Sequence, residues 1–229
     1  MEGQLAAFLP ATRQWFQQRY GQPTRAQSLG WPAIQRGDNT LILAPTGSGK
    51  TLTAFLWGVD RLLSEGRGAR DDEDIASPSA TRQPGGRRRH SPLATRLLYI
   101  SPLKALNNDI ERNLRVPLAG IRKVAREMGE ELPEISVAVR SGDTPSRDRQ
   151  AMLRKPPQIL ITTPESLYIL LTSPAGREIF RTVGTVIVDE IHTLAGSKRG
   201  VHLALSLERL QQLAEQPIQR IGLSATIRP

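Results

Sequence analysis

Short runs of apolar and β-branched residues alternate along the chain with longer stretches whose apolar residues have helical spacing. Leu203, Leu207 and Leu210, for example, recur at intervals of three and four residues, as on one face of an α-helix. Runs that are apolar throughout predict strands buried on both faces, as in a mostly parallel sheet covered by helices. The pattern therefore predicts an α/β fold with helices on both faces of the sheet. The predicted strands are Thr40–Ala44, Arg96–Ser101, Ile135–Val139, Gln158–Thr162, Thr185–Asp189 and Arg220–Ser224.

One segment, residues 65–91, departs from this alternation. It combines an acidic cluster, several Gly, Pro and Ser residues and a basic run, and Ile75 is its only large aliphatic residue. Such a composition does not bury enough apolar surface to offset the entropy that is lost on ordering. We therefore expect a disordered insertion before the second strand. Contact of its basic run with a phosphate backbone is an alternative to a solvated loop.

Charge and composition narrow the possible functions of the 229-residue chain. Its 31 Lys and Arg residues against 22 Asp and Glu give a net charge of +9, which favours polyanionic partners such as nucleic acids. The absence of cysteine excludes a disulfide framework, a thiolate nucleophile and cysteine-ligated metal sites. The sequence has no leader pattern and no apolar stretch long enough to span a bilayer, so we expect a soluble, cytoplasmic protein.

The segment Ala44–Thr51, APTGSGKT, matches a phosphate-binding P-loop at every position except the first, where Ala44 replaces glycine. An apolar strand precedes it and a helix-compatible run follows it, which is the context that this motif requires. Backbone N–H groups of the loop and the N-terminus of the following helix would bind the phosphates of ATP. Lys50 would reach the β- and γ-phosphates, and the Thr51 hydroxyl would ligate Mg²⁺. The predicted ATP-binding residues of the loop are Thr46, Gly47, Ser48, Gly49, Lys50 and Thr51.

Two adjacent carboxylates, Asp189 and Glu190, follow the apolar run Val186–Val188. Carboxylates at the end of a buried strand are costly to desolvate unless a cation offsets their charge. Asp189 would hold Mg²⁺ through its waters, and Glu190 would orient or deprotonate the water that attacks ATP. An acidic helix N-terminus would account for one of the two residues, but not for both at a strand end.

Five short motifs occur in the order of motifs I, Ia, Ib, II and III of superfamily 2 helicases. They are APTGSGKT, SPLKALNND from Ser101, TTPESL from Thr162, DEIH from Asp189 and SAT from Ser224. The chain therefore resembles a DEAD/DEAH-box-type helicase. The residues around PTRAQ and DEIH are most similar to those of the large helicase-related (Lhr) branch.

This resemblance implies that residues 39–229 form the first RecA-like domain of an ATP-dependent helicase and that residues 1–38 form a helical Q-motif region. It also implies translocation from 3′ to 5′ along single-stranded DNA or RNA, with DNA repair as the setting. A second RecA-like domain, absent from this chain, would be needed for full activity. We therefore expect the chain to bind ATP and Mg²⁺ but to hydrolyse ATP poorly.

The same resemblance assigns further roles at the nucleotide. Gln27 matches the Q-motif glutamine, whose amide can both donate to and accept from the adenine edge. His192 would relay changes at the nucleotide to the hydroxyls of Ser224 and Thr226. The alternative for His192 is a purely structural role, and the alternative for Ser224 and Thr226 is the cap of a helix. The expected catalytic residues are Lys50, Asp189, Glu190 and His192. Aromatic residues that would stack on the base, or else pack in the core, are Trp15, Phe16 and Tyr20.

Polar residues that follow three of the predicted strands would line one edge of the sheet and contact nucleic acid. Contacts to phosphates by hydroxyls, amides and a few cations carry no base specificity. Helix capping is the alternative for each cluster, and Thr163 before Pro164 fits a cap well. The predicted contact residues are Ser101, Lys104, Asn107 and Asn108, then Arg140, Ser141, Gly142 and Thr144, then Thr163, Pro164 and Glu165.

Two other classes of protein share part of this pattern. A P-loop phosphotransferase that acts on small molecules would account for the P-loop and the Mg²⁺ site, but not for SPLKALNND, TTPESL and SAT. A nucleic-acid-binding module without turnover is the second alternative. ATP hydrolysis that nucleic acid stimulates in a complete parent protein would separate the helicase motor from the binding module, and a small-molecule acceptor would be needed to support the phosphotransferase.

Overall fold

The computed structural model describes residues 2–75, 94–102 and 104–225, of which residues 2, 68–75, 104–109 and 112 are described in backbone only. A short 3-10 helix, Glu2–Gln4, precedes the main elements. The helices are α1 (Pro10–Tyr20), α2 (Arg25–Gln35), α3 (Lys50–Ile75), α4 (Lys104–Glu127), α5 (Ser146–Arg154), α6 (Pro164–Thr172), α7 (Pro174–Glu178), α8 (Ile191–Leu194) and α9 (Lys198–Leu213). The strands are β1 (Thr40–Leu43), β2 (Leu97–Ile100), β3 (Val137–Arg140), β4 (Ile159–Thr162), β5 (Thr185–Val188) and β6 (Gln219–Ser224).

The strands form one sheet in the order β1-β6-β5-β2-β4-β3, and all of its pairings are parallel. This confirms the predicted α/β fold with a parallel sheet. Because all strands point the same way, the segments that follow them meet at one edge, which we call the carboxyl edge. The P-loop follows β1, the acidic pair follows β5, and Ser224 ends β6 between them. The topology therefore brings three of the predicted motifs to neighbouring strand ends.

Successive side chains of the central strands alternate between two hydrophobic layers. Tyr99, Ile161 and Ile187 pack on one face against residues from α1, α2, α3 and α4. Leu98 and Leu160 pack on the other face with residues from α6 and α9. All five side chains are fully buried. This explains why the strands are apolar throughout, since each face of the sheet is covered.

The N-terminal helices share the first of these two layers with the sheet. The ring of Trp31 lies edge-on to Phe8 and Phe16, at centroid distances of 5.1 Å and 5.3 Å. The indole Nε1 of Trp31 donates a hydrogen bond to the carbonyl oxygen of Thr53 in α3, at 3.2 Å. The region expected to contain the Q-motif is therefore packed directly on the helix that follows the P-loop.

A buried carboxylate joins α1 to the same helix. Oδ1 of Asp60 in α3 accepts a hydrogen bond from the backbone N–H of Leu9 at 3.0 Å, and Leu9 is the N-cap residue of α1. Burial raises the pKa of Asp60 from 3.8 to about 6, against the lowering effect of that hydrogen bond and of the Arg13 charge. Asp60 thus satisfies an N–H group at a helix end, at the cost of burying its own charge.

Helix α3 extends further than the sequence pattern predicted. The disordered insertion was expected to begin at Glu65, but the helix continues to Ile75, and residues 76–93 lie outside the described residues. Two ion pairs attach the helical turn around residues 65–67 to the rest of the domain. They join Arg96 to Glu65 and Arg67 to Glu130, both at 2.9 Å. None of the helices in the described part of the chain combines the length and the apolar character that crossing a membrane requires.

Candidate ATP site and nucleic-acid interface

The P-loop connects β1 to α3 at the carboxyl edge. Gly47 and Gly49 have φ values of 82° and 81°, in the left-handed region that favours glycine. A Cβ at Gly49 would lie 2.9 Å from Nε2 of Gln27, so close packing also requires glycine there. Lys50 is the first residue of α3 and Thr51 the second, which places both at the positive end of the helix dipole. The loop thus has the conformation that a phosphate-binding loop needs.

An unpaired polar atom marks the centre of this loop. Oγ of Ser48 is buried and has no hydrogen-bond partner among the described residues. A buried hydroxyl without a partner is costly, and a phosphate oxygen would supply one. The Lys50 side chain is also largely buried, although Lys is rarely buried without an anionic partner. Both observations fit the phosphates of ATP as the missing group.

Gln27 links the N-terminal helices to the P-loop. Its Oε1 accepts from the backbone N–H of Thr24 at 2.8 Å, and the Thr24 hydroxyl accepts in return from the Gln27 N–H at 3.4 Å. This reciprocal pair caps α2. The Thr24 hydroxyl also donates to the carbonyl oxygen of Ser48 at 2.8 Å. In this structure, the carbonyl oxygen of the Gln27 amide is thus used in the helix cap and is not left for a base. The prediction that Gln27 binds the adenine edge did not anticipate this cap.

The aromatic candidates for base stacking divide into two groups. Trp15 and Phe16 are buried in the core, with 6% and 0% of their surfaces exposed. They therefore have the core-packing role that was the alternative to stacking. Tyr20 is 49% exposed and contacts both of them through ring edges or a tilted ring face. Of the three, Tyr20 alone presents an open surface.

Asp189 is held by hydrogen bonds to both of its carboxylate oxygens. Oδ1 accepts from the backbone N–H of Glu190 at 2.7 Å, and Oδ2 accepts from the hydroxyl of Tyr99. The side chain is buried at the end of β5, as predicted, and its own N–H donates to the Ile100 carbonyl at 2.9 Å. Burial and the neighbouring Asp189 charge raise the pKa of Tyr99, which keeps the phenol protonated as a donor.

Glu190 adopts a backbone conformation that is unusual for its type. Its φ and ψ are 52° and 40°, and it is the only non-glycine residue with positive φ in the described parts of the chain. A non-glycine residue in the left-handed region costs about 1–3 kcal/mol and is found most often at functional sites. The turn aims the Glu190 side chain towards His192, whose Nε2 lies 3.2 Å from Oε2 of Glu190.

His192 also contacts the end of β6. Its Nδ1 lies 3.2 Å from Oγ of Ser224, and the Ser224 hydroxyl donates to the Ala225 carbonyl at 3.1 Å. The structure therefore brings together His192 and Ser224, the pair that the resemblance to superfamily 2 helicases implies. Their predicted partner Thr226 lies outside the described residues. On the opposite side of β6, the backbone N–H of Ala44 donates to the Ser224 carbonyl at 3.2 Å, so the P-loop, Ser224 and the acidic pair are contiguous.

The first group of predicted nucleic-acid contacts lies around the start of α4. Ser101 is fully buried, and its backbone N–H donates to the Thr162 carbonyl at 3.0 Å, which continues the pairing of β2 with β4. Lys104, Asn107 and Asn108 lie in the first turns of α4 and are described in backbone only. The group is thus placed at the carboxyl edge, as expected, with Ser101 beneath the surface.

The second group forms a loop after β3. Oγ1 of Thr144 accepts from the Ser141 N–H at 2.9 Å and donates to the Val139 carbonyl at 3.4 Å, so its hydroxyl folds the loop. Arg140 is buried, and its Nη1 donates to the Ser141 carbonyl at 3.3 Å. Its Nε has no hydrogen-bond partner among the described residues. Burial, together with the charge of Arg149, lowers the pKa of Arg140, because both disfavour the charged form of its guanidinium.

The third group has a capping role that was the alternative to nucleic-acid contact. Thr163 is 2% exposed, and its Oγ1 accepts from the Ser166 N–H at 3.4 Å at the N-terminus of α6. Pro164 follows as the first helical residue. Glu165 accepts from Nη2 of Arg199 at 3.0 Å, and this contact lowers the pKa of Glu165. The side chains of Thr163 and Glu165 are therefore engaged within the protein.

A family model described as DEAD/DEAH box helicase matches residues 24–229. The chain belongs to this family. An Lhr helicase/probable uracil glycosylase of Mycolicibacterium smegmatis is 54% identical to this helicase domain over 225 residues, which cover 98% of the domain and 13% of the relative. The ATP-dependent helicase Lhr-Core of Methanothermobacter thermautotrophicus is 50% identical over 220 residues, covering 96% of the domain and 23% of the relative. The predicted resemblance to Lhr helicases is confirmed.

Solved structures agree with this assignment. The structure of Mycobacterium smegmatis helicase Lhr bound to ssDNA and AMP-PNP matches with a TM-score of 0.83 and 53% identity, over 99% of the helicase domain and 26% of that chain. DEAD-box helicase Mss116 bound to ssRNA and UDP-BeF matches with a TM-score of 0.74 at 17% identity, over 99% of the domain and 40% of that chain. The second likeness shows the fold alone. The RecA-like fold is thereby confirmed, in a chain that spans 13–26% of these Lhr relatives.

Three residues of the helicase domain that contact the candidate sites escaped sequence analysis. Arg149 donates from Nε to the Thr144 carbonyl at 2.6 Å and thereby supports the loop after β3. Arg199 and Tyr99 hold Glu165 and Asp189, which lie 34 and 90 positions away in the sequence. Its basic residue type and the start of α5 three residues earlier, at Ser146, could have marked Arg149. No local signal marks the other two, because their partners are distant in sequence.

Proposed function

We propose that this domain is the ATP-binding motor domain of a helicase that translocates from 3′ to 5′ along single-stranded DNA or RNA in DNA repair. The observation that carries the proposal is the contact of His192 with both Glu190 and Ser224. It joins the acidic pair to the end of β6, beside the P-loop. An arrangement of this kind couples a change at the γ-phosphate to movement at the edge of the sheet.

ATP would be held mainly by the P-loop. The loop N–H groups and the N-terminus of α3 would bind the phosphates, with the Lys50 ammonium directed at the β- and γ-phosphates. Thr51 and Asp189 would hold Mg²⁺, which neutralises phosphate charge when it is bound. A Glu190 carboxylate oxygen would orient the attacking water and accept its proton. The unpaired Ser48 hydroxyl supports phosphate binding at this loop.

Single-stranded nucleic acid would cross the carboxyl edge over the loop after β3 and the start of α4. The buried charge of Arg140, whose Nε lacks a partner among the described residues, supports an anion at this loop. The ssDNA in the structure of Mycobacterium smegmatis helicase Lhr supports the same class of ligand. The pairing of helicase with uracil glycosylase in the name of the M. smegmatis relative supports a setting in DNA repair.

A second RecA-like domain would complete the motor. The domain spans 13–26% of its Lhr relatives, which leaves ample length in those proteins for a second motor domain. An arginine finger supplied across the domain interface stabilises the transition state of phosphoryl transfer in P-loop enzymes. The domain alone would then bind nucleotide and single strands, with little hydrolysis.

Nucleotide titration tests this function. Lys50→Ala should weaken the affinity for a fluorescent ATP analogue at least about tenfold, or about 1.4 kcal/mol, because it removes the cation that faces the phosphates. Lys155→Ala is the matched control, since Lys155 is exposed and follows α5 at the opposite edge of the sheet. An equal affinity of Lys50→Ala and the wild type would refute the assignment of the ATP site.

A further inference from the structure

Tyr99 is a fully buried tyrosine on β2 to which the proposed function gives no role. In the parallel pairing of β2 with β5, it lies opposite Ile187, two residues before Asp189. Its side chain extends along the neighbouring strand, and its hydroxyl donates to Oδ2 of Asp189. A buried tyrosine thus reaches the carboxylate to which we assign the cation.

The ring of Tyr99 is itself held in place. It stacks on Phe55 at a centroid distance of 4.9 Å and an interplanar angle of 23°. Phe55 belongs to α3, the helix that begins at Lys50 directly after the P-loop. The phenol is therefore clamped between the helix that follows the phosphate-binding loop and the strand that carries the acidic pair.

The two hydrogen bonds to Asp189 fix the plane of its carboxylate. The Glu190 N–H holds Oδ1 at 2.7 Å, and the Tyr99 hydroxyl holds the other oxygen. With both oxygens engaged, rotation of the carboxylate would break one hydrogen bond or both. The remaining lone pairs then point in fixed directions. Removal of a group that holds a metal ligand in this way commonly lowers the metal affinity by about 10–100-fold.

We infer that Tyr99 is a positioning residue for the cation at the ATP site: its hydroxyl orients the Asp189 carboxylate so that Mg²⁺ binds with the nucleotide. The inference rests on the proposed function, which places Mg²⁺ between Thr51 and Asp189. Tyr99 keeps its proton and transfers nothing. Its contribution is the orientation of a carboxylate before the cation arrives.

A purely structural role would have a different signature. A buried tyrosine needs a partner for its hydroxyl wherever it lies, so Tyr99→Phe would lower stability under either explanation. Affinity for nucleotide without Mg²⁺ reports on the P-loop and not on Asp189. A change confined to the Mg²⁺ dependence of nucleotide binding is therefore the signature of positioning.

The test compares Tyr99→Phe with the wild type and with Tyr168→Phe. Tyr168 is a partly exposed tyrosine on α6 that packs beside His202, away from the acidic pair. Fluorescent ADP is titrated in EDTA and then over a range of Mg²⁺ concentrations. For Tyr99→Phe we expect an affinity in EDTA within about twofold of the wild type and a half-maximal Mg²⁺ concentration raised about tenfold. Electron paramagnetic resonance of Mn²⁺ with ADP should show the same loss of cation affinity.

The outcomes separate this inference from the proposed function. If Mg²⁺ strengthens nucleotide binding equally in the wild type and Tyr99→Phe, Tyr99 does not position the site, and the proposed function stands. If Mg²⁺ has no effect on the wild type, the cation site itself is wrong, and this inference fails with it. Should Tyr99→Phe not fold by circular dichroism, Phe55→Leu frees the ring and keeps the hydroxyl. An unchanged Mg²⁺ dependence in that variant would overturn the inference.

Discussion

The imidazole of His192 lies 3.2 Å from the hydroxyl oxygen of Ser224, although 32 positions separate the two residues in the sequence. The other ring nitrogen lies 3.2 Å from the Glu190 carboxylate. A single side chain thus bridges the residue assigned to the attacking water and the end of the strand beside the P-loop. Because imidazole can donate at one nitrogen and accept at the other, it can change partners as charge at Glu190 changes.

The contact between His192 and Ser224 should contribute measurably to stability. We expect a coupling free energy of about 0.5–1.5 kcal/mol in a double-mutant cycle of His192→Ala and Ser224→Ala, the range of a net hydrogen bond. Urea unfolding of the wild type, both single variants and the double variant provides the measurement. Additive single effects would show that the contact carries no energy and would remove the structural basis for coupling.

Stability should also depend on the ionisation of Asp60. Its pKa in the folded state, about 6, lies above the ordinary value of 3.8, so the folded protein holds this proton more tightly than the unfolded chain. The contribution of protonated Asp60 to the free energy of unfolding is therefore full below about pH 4, and it is lost as the pH rises through 6. The loss amounts to at most about 3 kcal/mol. Arg13 is the charged group that opposes this shift.

Urea unfolding of the wild type and Asp60→Asn at pH 4, 5, 6 and 7 checks this dependence. The asparagine keeps an acceptor for the Leu9 N–H but does not titrate. The stability difference, wild type minus variant, should fall between pH 4 and pH 7. The comparison within each pH cancels the effect of Glu165, Glu178 and Glu208, whose lowered pKa values act in the opposite direction. A difference that is constant with pH would contradict the assignment.

Much of the fold and of the candidate ATP site follows from local sequence. The apolar strands, the glycines of the P-loop and the pair Asp189 and Glu190 each carry their signal within a few residues, and the parallel sheet places them at one edge. The contacts of Tyr99 with Asp189 and of Arg199 with Glu165 could not be predicted, because strand order and helix packing decide them. The extension of α3 past Glu65 was missed for the same reason, since its partners Arg96 and Glu130 belong to other segments.

Arg149 should matter for single-strand binding through the shape of its loop as well as through charge. Its guanidinium donates from Nε to the Thr144 carbonyl at 2.6 Å and from Nη2 to the Gly142 carbonyl, contacts that an ammonium cannot reproduce together. We expect Arg149→Lys to weaken binding of a single-stranded oligonucleotide several-fold while leaving the salt dependence nearly unchanged. Arg149→Ala should weaken binding further and flatten that dependence, because it also removes a charge.

Fluorescence anisotropy over a range of salt concentrations measures both effects. Arg154→Ala is the matched control, since Arg154 lies at the other end of α5, is exposed and donates to the Gln150 carbonyl within its own helix. Binding that is equal for the wild type and both Arg149 variants would show that the loop after β3 is not part of the nucleic-acid interface. A loss as large in Arg154→Ala would point to net charge rather than to the loop.

The domain alone should bind ATP but hydrolyse it very slowly. Thr51, Asp189 and Glu190 would assemble the cation and the water, yet the γ-phosphate in the transition state needs further positive charge. In P-loop enzymes an arginine finger supplies that charge and raises the rate by about 10³–10⁵-fold, and in this family we place it on the second RecA-like domain. Closure of two domains around ATP would also convert hydrolysis into movement along a strand. We therefore expect phosphate release at least about a thousand-fold slower than in a complete two-domain relative.

Phosphate release, measured with and without a single-stranded oligonucleotide, decides the question. Glu190→Gln sets the background, because it removes the proton acceptor while keeping the size of the side chain. Rates of the wild type close to that background, unchanged by the oligonucleotide, are the expected result. Rapid turnover that the oligonucleotide stimulates and that Glu190→Gln abolishes would show that the domain carries a complete catalytic site. The positive charge would then have to come from within this chain, and the half-buried arginines Arg149 and Arg199 at the carboxyl edge would be the residues to substitute next.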